Sequence, residues 1–117
     1  AETLGKKFEA NGIENSPCNR KCFREMLFKT KGIEKIIGGV IMSEETIVQN
    51  DESGVSLAQV LREKGIVVGV KLDKGLAEMN ENEHATVGEE DLEARLGDAV
   101  GYGAEFAKWR SVFRVSE

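Results

Sequence analysis

Gly65-Ile66-Val67-Val68-Gly69-Val70-Lys71-Leu72-Asp73-Lys74-Gly75 opens as an apolar run and ends in charge. Such a run between glycines predicts a strand over residues 66–72 that is buried on both faces, as in a parallel sheet. Side chains alternate along a strand, so Lys71 and Asp73 share one face while Val70 and Leu72 take the other. The pattern returns in Phe106-Ala107-Lys108-Trp109-Arg110-Ser111-Val112, which places Lys108 and Arg110 together and Trp109 on the opposite face, against a helix. Unpaired buried cations are costly and rarely kept for stability. Cations on the inner faces of two core strands therefore point to an anion site, although a plain strand-end ion pair accounts equally well for Lys71 and Asp73 taken alone.

The elements around these strands alternate. Residues 1–14 read as the tail of an element closing at Asn11-Gly12. Ser16 has the chemistry of an N-cap and Pro17 that of a first helical residue, and Cys18, Cys22, Phe23, Met26 and Leu27 carry a helical stripe to about Lys29. Residues 36–42 read as a second buried strand, followed by Ser43-Glu44-Glu45-Thr46, where the two glutamates are expected to be solvated. A polar turn at 50–54 leads to a short helix from about Ser56, ended by Gly65. Residues 76–88 show no period, and Asn80-Glu81-Asn82-Glu83 reads as a solvated loop, with His84 exposed beside it. Leu92, Leu96, Ala99 and Val100 mark a third helix, stopped near Gly101–Gly103, and a strand over 105–115 ends the chain. Repeated helix–strand alternation is the pattern of an α/β fold with a parallel sheet, whose sites lie in the loops after the strands.

Composition narrows the function classes. The chain has 117 residues, 40% hydrophobic and 32% charged, with a net charge of −5. That is enough for one globular segment, residues 1–117, and the negative charge argues against nonspecific binding to nucleic acid or an anionic membrane. No apolar run approaches a membrane span, and no signal peptide is visible. The start at Ala1 lacks an initiator Met, which points to a beginning upstream. Cys18 and Cys22 sit four apart in a helical pattern, an awkward disulfide spacing, and the single His is far away, so neither a disulfide nor a metal site is expected. Gly-x-Gly-x-x-Gly and Walker loops are lacking, which lowers the case for a nucleotide.

Four blocks bring a family into view: Gly12-Ile13-Glu14-Asn15; Gly39-Val40-Ile41 with Glu45-Thr46; Gly69-Val70-Lys71-Leu72-Asp73-Lys74-Gly75; and Phe106-Ala107-Lys108-Trp109-Arg110. In order and spacing the sequence resembles class I fructose-bisphosphate aldolase, the Schiff-base type. The resemblance implies a partial TIM (β/α)8 barrel, with this chain supplying about strands two to four. It implies reversible cleavage of fructose 1,6-bisphosphate to dihydroxyacetone phosphate and glyceraldehyde 3-phosphate, in glycolysis, with no cofactor and no metal. Lys71 and Lys108 match catalytic positions, and Lys108 is implied to contact the substrate hydroxyls and support the proton transfers. Asp73, Arg110 and Arg20 match substrate-binding positions, and Lys7 stands where the family has a phosphate-binding Arg. The phosphorylated sugar is the implied partner, and the implied parent is a homo-oligomer, a tetramer, in the cytoplasm or a plastid. The family's Schiff-base Lys and catalytic Glu fall outside this chain, which alone is expected to be inactive. The acidic stretch with Glu78, Glu81 and Glu83 departs from the family's Gly- and Thr-rich loop. Two further readings stand beside this one: a non-catalytic aldolase-like binding module, and an unrelated α/β domain for a small phosphorylated ligand.

Overall fold

The computed structural model describes residues 2–81, 83–113 and 115, with the side chain of Glu2 left out. Ala1, Asn82 and Arg114, which the sequence reading puts in the first element, the acidic loop and the last strand, lie outside the described residues. The elements follow in chain order: α1 (Glu2–Ala10), α2 (Pro17–Lys29), a 3-10 turn (Ile33–Lys35), β1 (Gly39–Met42), α3 (Glu44–Ile47), α4 (Leu57–Arg62), β2 (Val67–Lys71), β3 (Leu76–Asn80), β4 (Glu83–Thr86), α5 (Leu92–Gly101) and β5 (Phe106–Lys108). Three helices start on serine caps. Ser16, Ser43 and Ser56 each accept from the backbone N–H three residues on, at Asn19, Thr46 and Gln59. Each cap satisfies a donor that the helix itself leaves unpaired. Gly65 and Gly103, at φ 74 and φ 96, carry the chain out of α4 and α5 through left-handed turns that a side chain would strain.

β1, β2 and β5 form a parallel sheet in the order β1-β2-β5. Register aligns Ile41 with Gly69 and Gly69 with Phe106, and two residues further Lys71 with Lys108. One face of the sheet is covered by α3 and α4. Val68, Val70 and Leu72 there are at most 1% exposed and pack with Met42, Ile47, Leu57 and Leu61. Burial of each such aliphatic side chain stabilises the fold by about 1.5–3 kcal/mol. Trp109 packs against this cluster, as its place in the alternation predicts.

The opposite face corrects one expectation. The strand at 66–72 is buried on one face only; across the other, Ile41, Val67 and Phe106 stay 40–51% exposed, because none of the described elements covers them. Gly69, central on that face, lies directly beneath the Phe106 ring. The strand expected over 36–42 begins only at Gly39, because the amides of Ile36 and Ile37 both bond back to the Ile33 carbonyl in the 3-10 turn. The strand expected over 105–115 is confined to Phe106–Lys108, so Val112 lies beyond it. Its last ladder bond runs from the Leu72 amide to the Lys108 carbonyl, after which β2 turns away at Asp73–Lys74.

Residues 76–88 are not a loop. β3 and β4 form an antiparallel hairpin in which Glu78 faces His84. Reciprocal backbone bonds, Lys74 N–H to Val87 O at 2.8 Å and Val87 N–H to Gly75 O at 3.0 Å, carry its base back to the end of β2. Every β3 side chain is exposed, and backbone pairing at the base holds the hairpin in the absence of an apolar face. His84 is exposed, as expected, but within a strand.

Candidate functional site

Asp73, just past the C-terminal end of β2, is the centre of the site. Its side chain is 0% exposed, yet it stands between two lysines: Lys71 Nζ lies 2.8 Å from Oδ1 and Lys108 Nζ 3.7 Å from Oδ2. Neither carboxylate oxygen accepts a well-aligned hydrogen bond, so the contacts are ion pairs. Lys71, working against the cost of burial and aided by Lys108, holds the Asp73 carboxyl below its ordinary value. Lys71 is additionally tied by a 2.5 Å bond from Nζ to the Asp73 carbonyl. Lys108 stands beyond hydrogen-bond distance, with its side chain 37% exposed, so its ammonium donors are open to a ligand. The alternation read from the sequence, and the matching register of Lys71 and Lys108, together produce this convergence.

The remaining candidates separate. Arg110 lies two residues beyond β5 and is exposed; its carbonyl accepts from the Thr86 hydroxyl at 2.7 Å, and no ion pair among the described residues engages its side chain. Arg20 is spoken for: it donates to both carboxylate oxygens of Glu45 and to Asn15 O and Oδ1. Lys7 is exposed on α1, a helix whose Phe8 ring meets Phe23 edge-on at 5.8 Å, and no ion pair among the described residues joins Lys7 to the Asp73 cluster. Lys74, which touches neither Lys71 nor Asp73 through a side-chain bond, pairs with Asp91 at 2.9 Å.

Two functional-end residues escape a sequence reading. Glu45 does not sit free in solvent. Arg20 at 2.5 Å, and after it Arg24 at 2.8 Å, hold its carboxyl at about 2 despite the opposing effect of partial burial. These pairs fasten α2 to α3, the short helix that follows β1. Glu44 likewise pairs with Arg95 at 2.8 Å. Arg95 itself gave a signal: it falls within the Leu92, Leu96, Ala99 stripe of α5, where a cation belongs only if something buried receives it.

A concavity of about 850 Å3 lies away from this cluster, between the hairpin and residues 109–113. Leu76, Met79, His84, Trp109 and Phe113 line it with Glu83 and Glu89 and no Lys or Arg. That lining does not suit a phosphate, whereas the Lys71–Asp73–Lys108 cluster offers cations in fixed positions. No group of three or more metal-ligating side chains exists among the described residues.

The profile of class-I fructose-bisphosphate aldolase matches residues 1–117. A fructose-bisphosphate aldolase from Encephalitozoon cuniculi is 53% identical over 112 residues, covering 96% of this chain and 33% of the relative. Fructose-bisphosphate aldolase 7, cytosolic, from Arabidopsis thaliana is 39% identical over 116 residues, with 97% and 32% covered. Among solved structures, the Plasmodium falciparum fructose-bisphosphate aldolase in complex with TRAP and a small-molecule inhibitor superposes with a TM-score of 0.87 at 39% identity, over 94% of this chain and 32% of that one. The chain thus spans about a third of the length of the relatives it matches. With its whole length matched by the family profile, the chain belongs to the class-I fructose-bisphosphate aldolase family.

Proposed function

We propose that this chain is part of a class I fructose-bisphosphate aldolase, in which β1, β2 and β5 serve as strands two to four of a (β/α)8 barrel. The reading rests above all on the Lys71–Asp73–Lys108 cluster at the C-terminal ends of neighbouring parallel strands, where such barrels build their sites. The exposed apolar face of the sheet supports it, because that face is the one a closed barrel would line with side chains. The cleaved substrate is fructose 1,6-bisphosphate, a dianion at each end, which calls for several cations.

In this reading each residue has a role. Asp73 stays ionised and holds two ammonium groups in register. Lys71, tied to Asp73 twice, fixes the polar floor of the site. Lys108 meets the substrate's central hydroxyls and stabilises the alkoxide as the hydroxyl proton leaves and the C–C bond breaks. An imine formed elsewhere in the full-length protein, between a lysine and the ketone, takes up the electron pair. Arg110 reaches the substrate from the segment after β5, and Lys7 supplies charge toward a phosphate without the bidentate fork of an arginine. Arg20 acts at the substrate only if it partly releases Glu45; in the geometry observed it orders the rim of the site. In this reading the full-length protein is a homo-oligomer in the cytosol or a plastid; the Arabidopsis relative is named cytosolic. No helix among the described residues is long and apolar enough to cross a membrane.

The test is steady-state cleavage of fructose 1,6-bisphosphate by the full-length protein. Lys108→Ala is expected to lower kcat by about 100- to 1000-fold, the scale of losing one group that stabilises developing charge. Lys74→Ala, which removes only the pair with Asp91, is expected to change it less than about threefold. Equal, small effects would show that Lys108 has no part in the chemistry.

A further inference from the structure

Arg95 on α5 makes four bonds at one place in the fold. Its Nη2 donates to the Leu72 carbonyl, Nη1 to the Gly88 carbonyl and to Asp91, and Nε to Glu44. Its side chain is only 11% exposed, so these are not loose surface contacts. Leu72 is held at both of its backbone groups: its N–H bonds to the Lys108 carbonyl, and its C=O, in the peptide that joins it to Asp73, receives Arg95. That peptide directly precedes Asp73, and the Leu72 side chain is 1% exposed in the core. Gly88 closes the hairpin's return, and Glu44 opens α3 immediately after β1. One guanidinium therefore joins the loop after β1, the end of β2 and the base of the hairpin. Lysine, with a single point of charge, cannot span the three.

We propose that Arg95 is a positioning residue for the Asp73 cluster, locking the end of β2 so that Lys71 and Lys108 meet Asp73 at the distances observed. This rests on the aldolase reading for its effect on turnover, but not for its effect on Asp73. Arg95 touches neither lysine, so its influence passes through the Leu72 peptide. Misplacement of a reacting group by about 1 Å is enough to cost about 100-fold in rate. Asp73 is faced by Lys71 from β2 and by Lys108 from β5, and a shift of the strand end loosens both pairs together.

The experiment compares Arg95→Ala and Arg95→Lys with Glu44→Gln in the full-length protein, since Glu44→Gln weakens one Arg95 partner and leaves the Leu72 bond. Two readouts are taken well below the melting temperature: kcat and KM for fructose 1,6-bisphosphate, and the titration midpoint of Asp73 followed by its 13C carboxyl signal. Arg95→Ala is expected to lower kcat about 30- to 100-fold, to change KM less than about threefold, and to move the Asp73 midpoint upward. Arg95→Lys is expected to recover part of kcat, and Glu44→Gln to stay within about threefold of wild type. Wild-type kcat and an unmoved Asp73 midpoint in Arg95→Ala, whatever its melting temperature, would overturn the proposal. If Arg95→Ala does not fold, Arg95→Lys decides by the same two readouts, with wild-type values in both overturning it. A wild-type protein that fails to cleave the sugar would sink the aldolase reading instead, and the Asp73 titration would still decide the role of Arg95.

Discussion

Lys71 of β2 and Lys108 of β5 occupy the same register position on adjacent parallel strands, and the buried carboxylate of Asp73 stands between their ammonium groups. Two like charges side by side on one face repel; the carboxylate turns that repulsion into a fixed pair. Asp73→Asn keeps the shape and removes the charge. It is expected to lower kcat for fructose 1,6-bisphosphate by about 10- to 100-fold in the full-length protein, because both lysines lose their anchor. A kcat equal to wild type would mean that the lysines are placed by other means.

Acid stability follows from Glu45. Its carboxyl falls from an ordinary 4.5 to about 2 in the fold, with Arg20 as the main cause. A depressed carboxylate contributes stability in full above 4.5, and the contribution is lost as pH falls from there through about 2. Glu25, Asp51, Asp73 and Asp91 are lowered too and act in the same direction. Thermal melts of wild type and Glu45→Gln should therefore differ near neutrality and converge as pH drops through that window. A gap that stays constant would place the stabilisation elsewhere.

The contact between Gly69 and Phe106 makes a packing prediction. Any Cβ at position 69 would strike the Phe106 ring, which would have to shift from its place over Gly69. Gly69→Ala is expected to destabilise the protein by about 1–3 kcal/mol, the usual scale of overpacking. In Gly69→Ala with Phe106→Ala most of that loss should vanish, as a double-mutant cycle in urea would measure. Simple additivity of the two substitutions would show that the ring does not constrain Gly69.

What could be read ahead of the coordinates follows the strength of each local signal. The run from Ile66 to Leu72 has one physical solution, a core strand, and Ser16-Pro17, Ser56 and Gly65 mark helix ends by side-chain and backbone chemistry that acts locally. The β3–β4 hairpin carries no such signal, because backbone pairing, including that between Lys74 and Val87, holds it while every β3 side chain is exposed. Glu45 reads as solvated in the sequence but is paired in the fold, because its partners, Arg20 and Arg24, lie 25 and 21 residues away. Long-range ion pairs leave no trace in periodicity. The apolar run reads as a strand buried on both faces of a parallel sheet, whereas the described elements cover one face only. Arg20 enters by resemblance alone, and the geometry ties it to Glu45; Arg110 enters also by alternation along a strand over 105–115, and because β5 stops at Lys108 it lies exposed beyond the strand.

The central claim is that this chain brings Lys71, Asp73 and Lys108 to a sugar whose imine forms on a lysine elsewhere in the full-length protein. Trapping tests it most directly. The full-length protein is incubated with dihydroxyacetone phosphate; a lysine amine condenses with the ketone, water leaves, and borohydride reduces the imine to a stable secondary amine. Intact mass and peptide mapping then locate the adduct. One adduct per chain is expected, on a lysine outside residues 1–117, formed more slowly in Lys108→Ala. An adduct on Lys71 or Lys108, or no adduct at all, would contradict it.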